Sequence, residues 1–531
     1  MSSEDIDVVI VGAGFAGLYM LHSVRGLGMS ALVIEAGEGV GGTWYWNRYP
    51  GARCDVPSME YSFGFDDKLQ QEWEWTERYA TQPEILRYIE HVADRFDLRR
   101  DIVLGRRVES ATFDDETERW TVRTNDSNEV KCRFVVMATG CLSAANLPEI
   151  AGRDSFGGDT YHTGGWPHDG VDFTNQSVAV IGTGSSAVQS IPLIASQAAE
   201  VTVFQRTPAY AVPAHNHDLD SSDVAAIKGD YRHWRDVARR STTGFGGHVE
   251  RNPVGALDVD EQQRQAEYDR RWEAGGLAFM GAFNDLLLSD ESNQTAAEYV
   301  RSKIREQVRD PATAEALSPH TVIGCKRMCV DTNYYATFNQ PNVKLVDIAQ
   351  TPIDEITKTG VRVGDRRVDV DAIIFATGFD AMTGAIARID IRGRGGQRLS
   401  DEWAAGPQTY LGLQVAGFPN LFTITGPGSP SVLTNMIVAI EQHVEWISDL
   451  MAEMIAAGHD TVEATPSAQQ QWVEYVNAVA DLTLFGGCSS WYLGANVPGK
   501  PRVFMPLPGF PEYKAKCDEV AAAQYEGFVL A

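Results

Sequence analysis

The sequence predicts an α/β fold in which two similar parallel-sheet units share one chain of 531 residues. Two matching segments, residues 8–20 (VVIVGAGFAGLYM) and 178–190 (VAVIGTGSSAVQS), each run from apolar residues through glycines into a helical pattern. Two further apolar runs, residues 134–140 and 373–378, both end in Ala-Thr-Gly. Short apolar runs of this kind are typical of strands buried on both faces of a parallel sheet. The chain is also too long for one hydrophobic core, so we expect more than one domain.

Composition and charge narrow the class of protein. With 44% hydrophobic and 22% charged residues, the chain has an ordinary globular composition. No uninterrupted apolar run is long enough to span a bilayer, and the acidic N-terminus leads directly into a strand. We therefore expect a cytoplasmic protein with no signal peptide and no membrane contact. The formal net charge of −27 argues against nucleic acid as a partner.

The cysteines give no sign of a disulfide framework or of a metal site. There are seven, at positions 54, 132, 141, 325, 329, 488 and 517, with no CxxC pair. An odd and scattered set is the pattern of free thiols in a reducing compartment. We therefore expect free cysteines and no metal.

The first glycine-rich segment has the pattern of a dinucleotide-binding turn. Gly12, Gly14 and Gly17 form GxGxxG between a strand and a helix. These glycines allow a tight turn, a close approach of the backbone to a pyrophosphate, and close packing of helix on strand. Glu35 ends the next apolar run (ALVIE), where a carboxylate can bind a ribose 2′-hydroxyl. Such a site suits FAD.

The second segment has the same pattern with a different charge. Gly182, Gly184 and Ala187 form the variant that ends in alanine. The following apolar run (VTVFQRT) lacks an acid at its end and carries Arg206 instead. A carboxylate would repel a 2′-phosphate, whereas a guanidinium binds it. The second nucleotide is therefore expected to be NADP(H) rather than NAD(H).

The order of these segments predicts two Rossmann-like dinucleotide-binding domains, one inserted in the other, with a helical insertion. Within the insertion, Ile227, Tyr231 and Trp234 recur at helical spacing. Val300, Ile304 and Val308 do the same, and Thr295 with Glu298 has the pattern of a capping box ahead of them. We expect these stripes to be core contacts. The predicted division is an FAD-binding domain at 1–150 and 385–531, an NADP-binding domain at 151–215 and 321–384, and a helical insertion at 216–320.

Two nucleotide sites imply that hydride passes from NADPH to a flavin, which leaves the final electron acceptor open. A dithiol is nearly excluded, because residues 41–55 contain only Cys54. Oxygen is the second possibility, with transfer of one oxygen atom to a substrate. The third is a non-catalytic, redox-sensing flavoprotein, which an intact NADPH site disfavours.

The segment between the two domains favours oxygen as the final electron acceptor. Phe156, Gly158, His162, Trp166 and Pro167 match FxGxxxHxxxWP, the motif of Baeyer-Villiger monooxygenases, at every defined position. The sequence resembles that family, and Trp166-Pro167 favours it over the alternative, a flavin-containing monooxygenase that oxygenates nitrogen or sulfur. For His162, a contact that couples the domains is favoured over direct catalysis. The resemblance extends through residues 41–55, 324–327, 409–427 and 490–500, and residues 429–436 look most like the phenylacetone and steroid monooxygenase branch.

The resemblance also implies site residues. The flavin site would be lined by Thr43, Trp44, Tyr45, Trp46, Asp55, Tyr61, Val108 and Met436, beside the first fingerprint. The NADP site would comprise Arg53, Cys54, Gly182, Thr183, Gly184, Ser185, Ser186, Ala187, Val188, Gln189, Arg206, Thr207, Lys326, Arg327 and Trp491.

The reaction that the resemblance implies starts from a ketone and O2, proceeds through a C4a-peroxyflavin, and gives an ester or lactone. Its anionic species need a fixed cation in a dry site, and arginine stays protonated and offers directed donors. Arg327 matches the catalytic arginine of the family, and Asp55 is expected to position it. The Gly/Ser-rich residues 485–500 form the candidate loop that closes over the site. Linear, cyclic, aryl and steroid ketones all remain open as substrates, as does the oligomeric state.

Overall fold

The structure is a computed structural model that describes residues 6–246, 251–495, 497–500 and 509–531. Its strands are β1 (Ile6–Val11), β2 (Ala31–Ile34), β3 (Ile102–Val103), β4 (Val108–Asp114), β5 (Arg119–Thr124), β6 (Glu129–Met137), β7 (Asp159–His162), β8 (Ser177–Ile181), β9 (Glu200–Gln205), β10 (Ala211–Pro213), β11 (Cys329–Asp331), β12 (Val343–Asp347), β13 (Glu355–Thr357), β14 (Gly360–Val363), β15 (Arg366–Asp369), β16 (Ala372–Phe375), β17 (Asp390–Arg392), β18 (Leu421–Thr423), β19 (Val462–Ala464) and β20 (Phe528–Leu530).

The α-helices are α1 (Phe15–Gly26), α2 (Thr43–Trp46), α3 (Asp67–Glu72), α4 (Gln82–Arg95), α5 (Ser185–Ala195), α6 (Ser221–Gly229), α7 (Tyr231–Arg240), α8 (Glu261–Ala274), α9 (Asp290–Gln307), α10 (Pro311–Leu317), α11 (Tyr334–Thr337), α12 (Gly384–Ala387), α13 (Leu399–Glu402), α14 (Met436–Ala457), α15 (Pro466–Asp481) and α16 (Phe510–Ala522). Short 3₁₀ helices span Arg99–Asp101, Arg153–Ser155, Thr163–Gly165, Gly276–Gly281, Arg394–Gly396, Ser431–Leu433, Leu484–Gly487 and Trp491–Leu493.

The larger sheet has the order β17-β4-β5-β6-β1-β2-β3, and β18 pairs with β6 as well. The strands β3, β2, β1, β6 and β18 are parallel to one another, whereas β5 runs antiparallel to β4 and β6. Since parallel strands end at the same edge, the loops after β1, β2, β6 and β18 meet there. That edge is where open α/β sheets bind ligands.

The smaller sheet has the order β12-β9-β8-β16-β7 and is parallel throughout. The strands β8 and β16 lie at its centre with both faces covered, which explains their uninterrupted apolar runs. The predicted α/β fold with two parallel-sheet units is therefore confirmed. The boundaries at residues 150, 215, 320 and 384 stay a prediction.

The region 216–320 is helical, but two details of its prediction are wrong. Asp230 separates α6 from α7, so that Ile227 lies on one helix and Tyr231 and Trp234 on the next. Helical spacing cannot reveal a break when the apolar residues continue in register on both sides of it.

The predicted capping box is also wrong. The N-cap of α9 is Ser289, whose hydroxyl accepts a hydrogen bond from the backbone of Ser292. Thr295 lies inside the helix and donates to the Ser292 carbonyl, and Glu298 pairs with Arg301 instead. Serine, threonine and aspartate fill both cap and interior positions here, so that the spacing of Thr295 and Glu298 alone did not identify the helix start.

The helical region packs on both sheet units. Tyr231 of α7 is buried in the hydrophobic core that contains β1 and α1, and its hydroxyl donates to the Met59 carbonyl. Val300 and Ile304 of α9 are buried in the core that contains β8 and α5. The expectation of core contacts is correct for these residues. In the described part of the chain, no helix is long and apolar enough to cross a membrane.

Candidate active site

The first glycine of each fingerprint packs against an Ala-Thr-Gly segment. Gly12 has φ +107°, and a Cβ there would lie 2.6 Å from the Ala138 carbonyl oxygen. Gly182 has φ +116°, and a Cβ there would overlap the Ala376 carbonyl oxygen. Only glycine fits both the dihedral angle and the space. In each unit, the glycine-rich segment and the Ala-Thr-Gly segment thus form one local structure. The glycine turn packs on the end of the neighbouring strand.

The ends of β2 and β9 place different side chains at equivalent positions. Since Ile34 and Phe204 pair with Val11 and Ile181 in the same register, Gln205 is the counterpart of Glu35. The Glu35 carboxylate is buried and accepts hydrogen bonds from the backbone N–H groups of Ala13 (2.7 Å) and Gly37 (2.7 Å). The Gln205 amide instead donates to the Ala316 carbonyl (2.6 Å). The acid is therefore replaced by a neutral side chain turned into the core.

Residues 41–46 cover the first glycine turn. Gly42 has φ +52°, and a Cβ there would lie 3.0 Å from the Cα of Gly14, so the two turns are stacked face to face. Trp44 is buried in the following short helix, and its indole N–H donates to the Tyr61 hydroxyl (3.3 Å). Tyr45 is also buried, and its hydroxyl accepts from the backbone of Glu38 (3.1 Å). The two turns therefore pack closely at Gly14 and Gly42, where neither backbone carries a side chain.

Residues 49–53, which follow this segment, contact the helix of the second glycine-rich segment. The Tyr49 hydroxyl donates to the side-chain oxygen of Gln189 (2.8 Å), and the Gln189 amide nitrogen donates to the Arg53 carbonyl (3.1 Å). Gly51 has φ +80°, and a Cβ there would lie 2.5 Å from the Gln189 carbonyl oxygen. Helix α5 of the second unit is therefore held directly against residues 49–53 of the first.

Arg206 and Lys326 bring two positive charges together. Lys326 is half-buried, and burial, followed by the charge of Arg206, lowers the pKa of its ammonium group. Neither side chain forms an ion pair with any residue that the structure describes. Two neighbouring cations without a carboxylate partner among the described residues are suited to bind an anion.

Arg327 and Asp55 form a two-point ion pair. The guanidinium Nε donates to Asp55 Oδ2 (2.6 Å) and Nη2 donates to Oδ1 (2.9 Å), while Nη1 donates to the Val432 carbonyl (2.8 Å). Burial by itself would lower the pKa of Arg327, but the neighbouring Asp55 carboxylate outweighs it and raises the pKa. The two side chains are 20% and 21% exposed, so the pair still faces open space. Arg327 is a permanently charged donor with a fixed direction.

An apolar cluster lies beside this ion pair. Its buried members are Cys141, Ala381, Met382, Val432, Phe485 and Tyr492, and the partly buried Leu142, Leu287, Leu433, Met436 and Trp491 pack against them. They come from both chain crossovers, the residues before α14, the helical region and the loop after α15. The Tyr492 hydroxyl lies beside Arg327, and burial raises the pKa of this phenol. We call this group the apolar cluster.

Comparison with known proteins identifies the family. A family model described as pyridine nucleotide-disulphide oxidoreductase matches residues 9–223. The chain is 41% identical to the 2-oxo-Delta(3)-4,5,5-trimethylcyclopentenylacetyl-CoA monooxygenase of Pseudomonas putida, covering 100% of this chain and 99% of the relative. It is 40% identical to the phenazine N-monooxygenase PhzNO1 of Lysobacter antibioticus (99% and 97%) and 39% identical to a Baeyer-Villiger monooxygenase of Pseudooceanicola batsensis (99% and 95%). The chain belongs to the Baeyer-Villiger monooxygenase family.

Solved structures support the same assignment. The chain superposes on oxidized steroid monooxygenase bound to NADP with a TM-score of 0.94 at 50% identity, covering 99% of each chain. It superposes on the OTEMO complex with FAD and NADP with a TM-score of 0.96 at 42% identity, and on the closed structure of cyclohexanone monooxygenase with a TM-score of 0.97 at 41% identity, each covering 100% of both chains. Membership of the Baeyer-Villiger monooxygenase family, predicted from the motifs, is confirmed.

The linker motif of this family member lies at the junction of the two units. His162 ends β7, its Nδ1 accepts from the Gly164 backbone (2.9 Å), and its Nε2 lies 3.4 Å from the Thr377 hydroxyl. Burial lowers the pKa of this imidazole, which favours its uncharged form. Trp166 is buried, with its ring centroid 5.4 Å from that of Tyr161. These contacts favour a role in joining strands and crossovers over contact with a substrate.

The other linker residues are also structural. Phe156 packs against the core below β16, and a Cβ on Gly158 would overlap the Asp371 carbonyl oxygen. The Pro167 carbonyl accepts from Gly170 (3.2 Å). These contacts are all made with the protein itself, which favours a connecting role for the motif.

Several residues predicted for NADP lie around the second fingerprint. The Thr183 hydroxyl donates to the Thr207 carbonyl (2.8 Å), and the Thr163 hydroxyl next to His162 donates to Ser186 (3.2 Å). The Ser185 hydroxyl lies 3.4 Å from the Cys329 thiol. Ala187 and Val188 are fully buried where α5 meets the sheet.

Two of the predicted NADP residues are held by the protein itself. The Arg53 guanidinium pairs with Glu77 (2.9 Å) and also donates to the Tyr79 carbonyl (2.9 Å). Cys54 is buried, and burial raises the pKa of its thiol. Their contribution to a nucleotide site would come through the backbone of residues 53–54, which Gln189 already contacts.

The remaining predicted flavin residues lie on three different elements. Thr43 is exposed at the start of α2, and Trp46 packs edge-on against Tyr45 with ring centroids 5.1 Å apart. Val108 is buried at the start of β4, and Met436 begins α14 next to the apolar cluster.

The expectation of free thiols throughout is wrong for two cysteines. Cys325 and Cys488 form a disulfide, with Cα atoms 6.3 Å apart and a sequence separation of 163. Residues so far apart give no spacing signal, because only the folded chain brings them together. Sequence reasoning also did not find Val432 and Tyr492 as neighbours of Arg327, for the same reason.

Proposed function

We propose that this protein is a cytoplasmic, FAD-containing, NADPH-dependent monooxygenase that uses O2 to convert ketones to esters or lactones. The observation that carries the proposal is the Arg327 guanidinium, which Asp55 and Val432 fix in place next to the apolar cluster. Membership of the Baeyer-Villiger monooxygenase family supports it. We also propose the predicted FAD-binding and NADP-binding domains and site residues as the working assignment.

The residues of the first unit fit FAD. The stacked turns at Gly14 and Gly42 leave backbone N–H groups without intervening side chains, which suits a pyrophosphate. Glu35 still has lone pairs for a ribose hydroxyl, since each carboxylate oxygen accepts only one hydrogen bond within the described residues. Bound FAD would accept hydride from NADPH and activate O2.

The residues of the second unit fit NADP(H). Nothing lies within 4 Å of a Cβ on Gly184, so the backbone there is open to a pyrophosphate. Gln205 stands where an NAD-selective site would have an acid, and Arg206 with Lys326 supplies two cations for a 2′-phosphate. The charge pattern thus supports selectivity for the phosphorylated coenzyme.

Arg327 is suited to stabilise a developing oxyanion. Three of the five N–H donors of a guanidinium are used by Asp55 and Val432. The Tyr492 hydroxyl also lies within hydrogen-bonding reach of this guanidinium, and the donor that is left can address an oxygen in the adjacent space. Because Asp55 fixes the plane of the guanidinium, little reorganisation is needed when charge develops on that oxygen. Asp55 is a positioning residue in this scheme.

The apolar cluster is suited to hold the carbon skeleton of a ketone. Its residues offer methyl, thioether and ring surfaces, and two of them, Val432 and Tyr492, contact Arg327. An apolar wall with one directed donor is the usual composition of a small-molecule site. Water exclusion by the same wall would strengthen the hydrogen bonds that Arg327 makes to substrate.

The test of the proposed function is NADPH consumption by the purified FAD-loaded protein against a panel of linear, cyclic, aryl and steroid ketones. We expect ester or lactone in amounts that match the NADPH consumed, identified by mass spectrometry. Consumption without any oxygenated ketone product across the whole panel would contradict the proposal.

A second function has one specific observation in its favour. A relative at 40% identity over 99% of this chain is named a phenazine N-monooxygenase, so this level of overall similarity is also found with a protein named for oxygenation of nitrogen. The same panel should therefore include aromatic nitrogen heterocycles. Formation of N-oxide with no ketone oxygenation would establish this second function instead.

A further inference from the structure

We propose that His443, a buried residue of α14, is a positioning residue for the oxygenation of the ketone. It fixes the backbone of Thr425, where the chain leaves the larger sheet, and thereby residues 425–432, which we call the connecting segment. This segment ends at Val432, whose carbonyl accepts from the Arg327 guanidinium (2.8 Å). The inference deepens the proposed function and rests on it, since it assigns a residue to the step that forms the ester.

Thr425 has a backbone conformation that threonine rarely adopts. It lies two residues after the end of β18 and has φ +54°. Among the non-glycine residues with positive φ in the described part of the chain, it is the only β-branched one. A branched side chain is crowded in this conformation, which persists only where the surrounding contacts fix it. The Thr425 N–H donates to His443 Nδ1 (2.9 Å), and this bond is the contact that can fix it.

The hydrogen bonds of His443 define one protonation state of the ring. The side chain is fully buried, and burial lowers the pKa of the imidazole to about 3. Because Nδ1 accepts the Thr425 N–H, the ring proton lies on Nε2, which donates to the Tyr513 hydroxyl (2.9 Å). The Tyr513 hydroxyl in turn donates to the Leu411 carbonyl (2.8 Å). An uncharged imidazole with a fixed tautomer therefore joins α14 and α16 to the turn at Thr425.

Side chains from other elements hold the next residues of the connecting segment. The Thr409 hydroxyl donates to the Pro427 carbonyl (2.8 Å), and the indole N–H of Trp472 on α15 donates to the Gly428 carbonyl (3.0 Å). These bonds fix the positions of two carbonyl groups, but they do not set the backbone rotation at Thr425. That rotation depends on the bond to the α14 imidazole, which is the first contact along the segment.

A second unfavourable conformation lies immediately before Val432. Ser431 is fully buried and has φ +43°. Residues in such conformations occur preferentially at functional sites, where the surrounding structure fixes them. The connecting segment is therefore held away from its relaxed form both at Thr425 and at Ser431. Relaxation of Thr425 to an ordinary negative φ is a rotation of roughly 100° or more, which displaces the residues that follow, including the Val432 carbonyl.

Displacement of the Val432 carbonyl changes the aim of Arg327. Asp55 holds two of the guanidinium donors, and Val432 holds a third from another direction. Without Val432, the guanidinium can pivot about Asp55, and its remaining donor points to a different place. A misplacement of about 1 Å in a reacting site can lower a rate by about 10²-fold. His443 therefore acts through Arg327 on ester formation, and the binding of NADPH should not depend on it.

The first experiment measures geometry and needs no enzyme activity. Crystal structures are determined for the FAD-loaded wild type, His443→Asn and His443→Gln. Asparagine can place its side-chain oxygen where Nδ1 lies and should keep Thr425 at positive φ, whereas glutamine extends toward Tyr513 and leaves the Thr425 N–H without this acceptor. In His443→Gln, we expect Thr425 at negative φ and the Val432 carbonyl outside hydrogen-bonding distance of Arg327. Unchanged positions of both residues in His443→Gln would overturn the proposal.

The second experiment measures ester formed per NADPH consumed, with a ketone that the wild type converts. His443→Gln should form ester about 10- to 100-fold more slowly and release hydrogen peroxide instead, with the KM for NADPH and the anaerobic reduction of the flavin as in the wild type. His443→Asn should retain most of the ester formation. Equal losses of ester in the two variants would show a merely structural role and overturn the proposal. A wild type that forms no ester would contradict the proposed function, whereas the crystal structures decide the positioning by themselves.

A third variant tests the connecting segment if His443→Gln does not fold. Thr409→Val keeps the shape of the side chain and removes the hydroxyl that holds the Pro427 carbonyl. It should show the same shift from ester to hydrogen peroxide to a smaller extent. Ser318→Ala is the matched control, because it removes a buried hydroxyl that donates to a carbonyl of α10 (2.9 Å) and should leave ester formation unchanged. Ester formation and a Val432 position equal to those of the wild type in Thr409→Val would overturn the proposal.

Discussion

Arg327 illustrates how the residue scale controls this site. The Asp55 carboxylate and the Val432 carbonyl together use three of its donors, although these partners lie 272 and 105 residues away in sequence. Arginine is suited to this place because its planar fork matches a carboxylate at two points and its charge does not titrate. Lysine would keep the charge and lose the geometry.

The first prediction concerns the proposed catalytic role of Arg327. Arg327→Ala should still bind FAD and should still be reduced by NADPH without oxygen, because its donors act on oxygenated species. Under O2 it should release hydrogen peroxide instead of ester. The rate of ester formation should be lower by about 10²–10³, the usual effect of losing a donor to an oxyanion. Stopped-flow absorbance separates the two half-reactions.

Two comparisons make this prediction decisive. Removing one partner of a buried ion pair destabilises a protein, so Arg327→Lys is needed as the variant that keeps a charge next to Asp55. It should also be impaired, because the fork is lost. Ester formation near the wild-type rate in Arg327→Ala would make the residue structural.

The second prediction concerns coenzyme selection by Arg206 and Lys326. Replacing either with alanine should raise the NADPH KM by roughly 10- to 150-fold, the effect of losing about 1.5–3 kcal/mol from a charged hydrogen bond. The NADH KM should change little, since NADH has no 2′-phosphate. Arg366→Ala, an exposed arginine on β15, is the control. A similar loss for both coenzymes would place 2′-phosphate recognition elsewhere.

At the scale of the element, each glycine-rich segment consists of a strand, a glycine turn and a helix. The helix must pack closely on the start of the turn at the third position of the motif. A Cβ on Gly17 would overlap the Gly12 carbonyl oxygen, so α1 can approach β1 only without a side chain there. The second unit has Ala187 at this place, fully buried, so its helix leaves room for one methyl group. The third position of the motif therefore has room for a methyl group in the second unit but not in the first.

The third prediction follows from that overlap. Gly17→Ala should weaken FAD binding by roughly 5- to 150-fold, because backbone displacement from overpacking costs about 1–3 kcal/mol. The measurement is FAD content after gel filtration, followed by titration of the apoprotein. Gly26→Ala at the end of the same helix has nothing within 4 Å of its Cβ and should bind FAD normally. Equal affinity in both variants would mean that the turn adjusts freely.

At the scale of the whole molecule, residues 49–53 connect the two units. The Tyr49 hydroxyl and the Gln189 amide form a bridge between a loop of the first unit and α5 of the second. Arg327 and the apolar cluster lie where both units, the helical region and the loop after α15 meet. The site therefore depends on the relative placement of all these parts.

The fourth prediction tests the bridge between the units. Tyr49→Phe should leave FAD content unchanged and raise the KM for NADPH and NADH alike by roughly 2- to 10-fold, the effect of about 0.5–1.5 kcal/mol for one neutral hydrogen bond. The equal effect on both coenzymes distinguishes placement from phosphate recognition. Tyr299→Phe, whose hydroxyl bonds to Asp269 inside the helical region, is the control. Unchanged KM values in Tyr49→Phe would show that other contacts hold the units together.

The sequence by itself determined the elements whose signals are local. The glycine turns, the apolar strands, Glu35 and the absence of an acid after β9 are patterns within about 25 residues, set by backbone geometry and burial. They predicted the α/β fold with two units, and the motifs predicted the family. Helix starts were less certain, since serine and threonine occur at caps and inside helices alike, as Ser289 and Thr295 show.

Only the tertiary structure decided the contacts between distant residues. The Cys325–Cys488 disulfide, the Val432 carbonyl on Arg327 and the approach of Lys326 to Arg206 join segments that are more than 100 residues apart. No periodicity or spacing encodes these contacts, because chain crossovers and packing set them after the local elements have formed. The apolar cluster could not be predicted from the sequence for the same reason: its members become neighbours only when five separate segments of the chain meet beside Arg327.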